Sequence, residues 1–183
     1  MFMKSIVPCL MCIVVSPIFA AENGSRTLVN DLVKHWQTSK SLSLAVADAM
    51  PAEGYQAFKP AGGEWNFADQ MGSLALANVL SCTSAFHAKA PQRFQSALDQ
   101  PMDLTKDGTM ESLRVAYDYC IDGLGHMDDS GLFEVAAISG HRATKFDILW
   151  NAIAHATHQL GLAEMYLRSK GITLPDTGPK YEF

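Results

Sequence analysis

The sequence is short of charge. Asp, Glu, Lys and Arg make up 18% of its 183 residues, where roughly a quarter is ordinary for soluble proteins. Lys and Arg number 14 against 19 Asp and Glu, a formal net charge of −5. With no basic surplus, a reader of the nucleic-acid backbone is excluded as a class. Cysteine is also scarce. Two of the four cysteines, Cys9 and Cys12, sit in the first twenty residues, so a disulfide-dense miniprotein is excluded. There is no internal repeat, no low-complexity tract and no strand-length alternating run bounded by hairpin turns. Several site motifs are missing too: Glu-x-x-His, His-Glu-x-x-His, His-x-x-x-His, Cys-x-x-Cys-His and a glycine-rich phosphate loop. Their absence argues against paired di-iron carboxylates, zincin chemistry, covalent haem and nucleotide binding. Non-covalent haem has nine Met and six His to draw on, but no pairing of them is indicated.

What is present begins with an export pattern. Lys4 precedes the apolar run Ile6 to Val15, and Pro17-Ile18-Phe19-Ala20-Ala21 supplies a break and small residues. This order matches a secretory signal. The apolar run is shorter than the roughly twenty residues of a spanning helix. Cys12 follows Leu10-Met11, so the small residues that a lipidation site requires are lacking. The expected organisation is a signal peptide over residues 1–20 and one domain over 21–183, periplasmic or secreted, with no membrane span once the signal is cleaved. Lys4 is the only charge lost, which takes the net from −5 to −6. Cys82 and Cys120 remain, each on an expected helix, and either pair or stay as buried thiols.

The mature chain reads as all-α. Leu28, Leu32, His35, Ser39, Leu42, Val46 and Ala49 form a stripe at helical period between Ser25, a candidate N-cap, and Pro51, a stop. A polar, glycine-rich passage follows, with Tyr55, Phe58 and Trp65 available to pin it. A second helix starts at Asn66 as cap and runs to about Lys89, with small residues all round that suit close helix contact. Residues 91–107 read as a long connection. A third helix runs from about Gly108 to Gly125. The longest opens at Ala143-Thr144, continues to Lys170 and closes at Gly171 with Pro175 beyond. Four such helices predict a four-helix bundle. Trp36, Trp65 and Trp150 are expected as core anchors, and Glu164 with Arg168 as a surface pair.

The strongest chemical signal lies on the last helix. His155 and Gln159 are four apart and share a face with Ile148, Ala152 and Leu162, so that face is expected to point inward. A buried imidazole beside a buried carboxamide needs partners, supplied either by hydrogen bonds across the bundle or by a metal. His155 and His158, three apart, can also clamp one ion. His158 shares a less apolar stripe with Asn151, Ala154 and Gly161.

These segments carry a resemblance. Gln159-Leu-Gly161-Leu-Ala-Glu-Met-Tyr166-Leu167-Arg168-Ser-Lys170-Gly171-Ile172-Thr-Leu174-Pro175 resembles the closing motif of the DinB-like proteins, His-Tyr-Gly-x-x-x-x-Tyr-Leu-Arg-x-Lys-Gly-Ile-x-Pro-Pro. Met50-Pro51-Ala-Glu53-Gly-Tyr55 is similar to the end of that family's first helix. Asn66-Phe67-Ala-Asp-Gln70-Met-Gly72-Ser73-Leu-Ala75-Leu-Ala77-Asn78 is similar to its second. The match runs in order over residues 27–176. The resemblance implies a four-helix bundle with a long crossover between helices 2 and 3. It also implies a divalent metal held by one histidine of helix 2 and a His-x-x-x-His pair of helix 4. Characterised members include transferases and an isomerase that use small thiols, the metal lowering the thiol pKa.

The sequence departs from the family at those ligands. Ser73 stands at the helix-2 histidine and Gln159 at the second helix-4 histidine, so His155 alone remains of the three. A hydroxyl and a neutral amide are poor ligands for Zn²⁺ or Ni²⁺ beside imidazole. Two readings follow. In the first, a non-catalytic, exported bundle binds a small molecule or protein partner in a pocket lined by Ser73, His155 and Gln159, with no cofactor. In the second, a metal-dependent enzyme holds zinc, nickel or iron in a rearranged site made of His155, His158 and Asp69. Homodimer formation is open in both.

Overall fold

The structure is a computed structural model that describes residues 25–57, 59, 65–95 and 102–176; the expected signal peptide and Phe58 lie outside them. The four long helices are α1 (Thr27–Ala49), α3 (Phe67–Phe86), α5 (Lys106–Gly125) and α6 (Lys145–Ser169). Two short helices, α2 (Gly54–Ala57) and α4 (Gln92–Gln95), sit in the connections between them. In the bundle α1 packs between α5 and α6, and α3 packs between the same two helices. None of the described helices is long and apolar enough to cross a membrane.

Local chemistry sets the helix ends. Asn66 and Asp69 form a reciprocal capping box at the start of α3, each side chain accepting from the other's backbone N–H. Thr144 caps α6 by accepting from the Asp147 amide at 3.1 Å. At its far end the Gly171 amide donates to the Arg168 carbonyl and the Ile172 amide to the Leu167 carbonyl, both at 2.9 Å. Gly171 itself is left-handed at φ 69°, as this type of helix end requires. The start of α1 departs from expectation. Ser25 is not its N-cap; Arg26 holds that position without a side-chain bond, and the carboxylate of Asp129 caps the helix from another part of the chain.

The buried stripe of α1 also differs from the expected one. It consists of Val29, Leu32, Trp36, Ser39, Ser43, Val46 and Ala47, whereas Leu28 and His35 are exposed. The reason is polar. The Tyr117 phenol on α5 bonds the hydroxyls of Ser39 at 2.7 Å and Ser43 at 2.8 Å inside the core. Ser43, outside the expected stripe, therefore faces inward together with Ser39, which belonged to it. Of the three tryptophans only Trp36 is a core anchor; Trp65 and Trp150 are close to half exposed. Trp150 stacks on Phe146 and meets the His35 ring edge-on. Tyr55 does pin its loop, donating from its hydroxyl to the Ala47 carbonyl at 2.6 Å.

A disulfide joins Cys82 of α3 to Cys120 of α5, with Cα atoms 5.5 Å apart. Between these helices runs the long connection, from 87 to 105, of which 96–101 lie outside the described residues. Arg93 fastens it to the first turns of α5 through the Ser112 hydroxyl at 2.7 Å and the Gly108 carbonyl at 2.6 Å. The second departure from expectation is a β-hairpin. Strands β1 (Val135–Ile138) and β2 (His141–Thr144) pair antiparallel, Val135 opposite Thr144 and Ile138 opposite His141. Ser139 at φ 49° and Gly140 at φ 82° make the turn, and two positive φ values in a row suit the right-handed twist of a tight hairpin. The hairpin packs against α3 and α6 beside the site described next.

Candidate functional site

His155 and Gln159 meet one turn apart on α6, as their spacing requires. The Gln159 Nε2 amide donates to His155 Nε2 at 3.0 Å. Gln159 is only 8% exposed, and its backbone carbonyl accepts from Gln70 Nε2 of α3 at 3.3 Å. The pair is thus tied to the neighbouring helix. Ile148 and Ala152 are buried on the same face, but Leu162 is not. Two buried atoms of the pair, His155 Nδ1 and Gln159 Oε1, have no hydrogen-bond partner. Burial pushes the His155 pKa below the ordinary value of 6.5, and the charge of His158 pushes it in the same direction. The imidazole is therefore neutral at pH 7.

His155 lines a pocket of about 360 Å³ between α3, α6 and the hairpin turn, where Ala77, Ser81, Ser139, Asn151 and Ala152 also face the space. Ser73 and Asp69 line a different cavity, of about 450 Å³, on the side of α3 nearer the long connection, with Trp65, Met102 and Leu104. The Asp69 carboxylate is already engaged, because its Oδ2 accepts from the Asn66 amide in the capping box. His158 is exposed to solvent. Among the described residues, no three His, Cys, Asp or Glu side chains converge as a metal site would require.

Three contributors were not singled out by sequence. Gln70 stood inside a quoted motif with no role, and it proves to be the tie from α3 to Gln159. Ser139 was legible only as a turn, since nothing local tells where a hairpin tip lands. Ser81 belongs to the stretch of small residues on α3, whose pattern speaks of packing and hides a pocket wall.

Two solved structures share this architecture. One, from Bacillus cereus, is described as a DinB-like protein; it is 16% identical over 80% of this chain and 95% of its own, with a TM-score of 0.66. The other, a DinB-like protein from Bacillus subtilis, is 17% identical over 82% of this chain and 99% of its own, also with a TM-score of 0.66. The chain has the DinB-like fold. No protein-family model matches the sequence, and no curated protein matches it.

The DinB-like bundle frames a test of the metal that the sequence resemblance implies. The donors at the three corresponding positions are one imidazole, whose Nε2 already accepts from an amide, one serine hydroxyl and one carboxamide. Hydroxyl and amide donors are weak toward a zinc- or nickel-type ion. The residues present do not fit that group.

Proposed function

We propose that this chain is an exported DinB-like protein that binds a small ligand without catalysing a reaction on it, using the pocket at His155, beside Gln159, between α3, α6 and the hairpin turn. One observation carries this reading. Gln159, standing where the resemblance places a ligand histidine, hydrogen-bonds His155 and so satisfies an imidazole nitrogen with no ion. The 360 Å³ pocket at His155 lies within the range of small-molecule sites. Export draws support from two features: the Lys4, Ile6 to Val15 and Ala20-Ala21 pattern, and the Cys82–Cys120 disulfide. Such a bond persists in an oxidising compartment.

The test is made on untagged protein from an envelope fraction. N-terminal sequencing is expected to begin at Ala21 or Glu22; an intact Met1 would remove the export reading. A chelator is expected to leave the melting temperature unchanged, since a ligand that binds only the native state would stabilise it. Ser73→His together with Gln159→His is expected to create metal-dependent stabilisation that the parent lacks. A parent that loses bound zinc, nickel or iron, and several degrees of stability, to chelator would replace this reading with that of a metal-dependent enzyme.

A further inference from the structure

The cavity on the side of α3 nearer the long connection holds a carboxylate that no cation answers. Asp69 and Ser73 are four apart and so share one face of α3. With Trp65, Leu76, Met102 and Leu104 they line a space of about 450 Å³. No Lys, Arg or His stands in that lining among the described residues. Asp48, Asp118 and Glu134 each meet a lysine, whereas half-buried Asp69 meets no cation among the described residues. Its Oδ2 accepts from the Asn66 amide, and its Oδ1 has no partner among them.

The rest of the wall suits both parts of an organic cation. The Trp65 carbonyl accepts from the Tyr166 hydroxyl at 2.8 Å, so the residue is anchored to α6 while its indole, 43% exposed, lines the cavity. An ammonium over an indole face is attracted by the ring quadrupole. The Ser73 hydroxyl bonds no group among the described residues and can accept from an N–H. Gly72 lets Leu104 sit down on α3, since an added methyl there would lie 2.9 Å from Leu104 Cδ2. Leu104, Met102 and Leu76 then offer apolar surface to a carbon chain or ring. A carboxylate ligand would be repelled by Asp69. A neutral one would cover the carboxylate and leave its charge uncompensated.

We propose that this cavity binds an organic cation, a protonated amine on an apolar body, with Asp69 as its counter-ion and the Trp65 indole against its charge. The site lies apart from the pocket at His155 and does not depend on a ligand there. Hexylammonium, hexanol and hexanoate share one chain and differ in the end group. Each is titrated into the full mature protein at pH 7 while the Trp65 indole and the Ser73 amide are followed by NMR. Hexylammonium is expected to shift both signals saturably and to weaken as salt is raised, with the other two at least tenfold weaker. Asp69→Asn, whose amide oxygen can still accept from the Asn66 amide, is expected to weaken hexylammonium by about tenfold or more and to leave hexanol unchanged. Trp65→Leu keeps the backbone bond to Tyr166 and an apolar side chain. Read at Ser73, it is expected to weaken hexylammonium roughly three- to thirtyfold, and it decides the matter should Asp69→Asn fail to fold. Charge recognition is overturned if hexanol or hexanoate binds as tightly as hexylammonium, or if folded Asp69→Asn or Trp65→Leu binds hexylammonium as tightly as the parent. The site itself is overturned if hexylammonium moves neither signal, or moves His155 and Ser139 in their place; the second result would leave the pocket at His155 standing.

Discussion

Asp129 holds the start of helix α1 from a hundred residues away in sequence. Its Oδ1 accepts from the Val29 amide at 3.0 Å, its Oδ2 accepts from the Ser25 hydroxyl at 2.7 Å, and its own amide donates to the Ser25 carbonyl at 2.8 Å. One carboxylate therefore caps a helix that has no side-chain cap of its own, and fastens it to the turn after α5. Negative charge is favoured there by the unpaired amides of the first helical turn.

Replacing that carboxylate is expected to destabilise the fold in a pH-dependent way. Partial burial would raise the Asp129 pKa, but the bonds from Val29, Ser25, Leu28 and Thr27 overcome this and hold it below 3.8. A carboxyl with a depressed folded pKa stabilises above its unfolded pKa, and that contribution is lost as pH falls through the folded value. Asp129→Ala is expected to lower the melting temperature at pH 7, and Asp129→Asn to lower it less, since an amide oxygen can still accept one bond. Thermal melts at pH 7 and pH 3 check this. A gap between wild type and Asp129→Ala that is as wide at pH 3 as at pH 7 would show that the charge is irrelevant.

Reduction of the disulfide is expected to cost a large part of the stability. Cys82 and Cys120 are 38 residues apart, and a closed loop of that length corresponds to about 4 kcal/mol in the chain-entropy account. Thiol titration of unfolded, unreduced mature protein is expected to find no free thiol. Urea melts with and without reductant, or of Cys82→Ala with Cys120→Ala, then measure the difference. A change well under 1 kcal/mol would mean that the bundle holds α3 against α5 unaided.

Helices α3 and α5 also meet at Gly123, where an added methyl would overlap the Phe86 ring. Overpacking of this kind costs about 1–3 kcal/mol. Gly123→Ala is expected to destabilise by that amount, and adding Phe86→Ala is expected to recover part of the loss by removing the obstructing ring. A double-mutant cycle reads the coupling. Independent effects would show that the ring simply swings aside.

The sequence was most readable where a single residue type dictates backbone geometry. Asn66 capped α3 and Gly171 closed α6 because one side chain, or its absence, decides those ends. The stripe of α1 was right at Leu32, Ser39 and Val46 and wrong elsewhere, because burial there depends on partners elsewhere in the chain. Ser43 turns inward beside Ser39 because Tyr117 offers its hydroxyl to both, while Leu28 and His35, on the expected stripe, end outside. The trans cap by Asp129 escaped for the same reason. In the site, the His155–Gln159 contact followed from spacing alone. Asn66-x-x-Asp69 is itself a capping pattern, which Asp69 completes at the start of α3, and the Ser139 wall needed the fold.

The protonation of His155 offers the most direct check on the electrostatics of that site. Burial disfavours its charged form and His158 adds repulsion. The pocket lining holds no carboxylate to oppose them, and Gln159 on α6 is neutral, as is Gln70, which reaches it from α3. Its folded pKa therefore lies below the unfolded 6.5. With a depressed folded pKa, the contribution of His155 is fully present above 6.5 and is lost as pH falls through the folded value, because the unfolded chain takes up the proton first. An NMR titration is expected to place the His155 midpoint below 6.5. Gln159→Glu should reverse the sign. A carboxylate against Nε2 favours the imidazolium and raises the midpoint by on the order of one to three pH units. The contribution of the pair is then present below the unfolded pKa and lost as pH rises through the new folded value. A His155 midpoint at or above 6.5 in the parent would show that the pocket is wetter or more acidic than its lining implies. It would also remove the argument that an ion is unwelcome there.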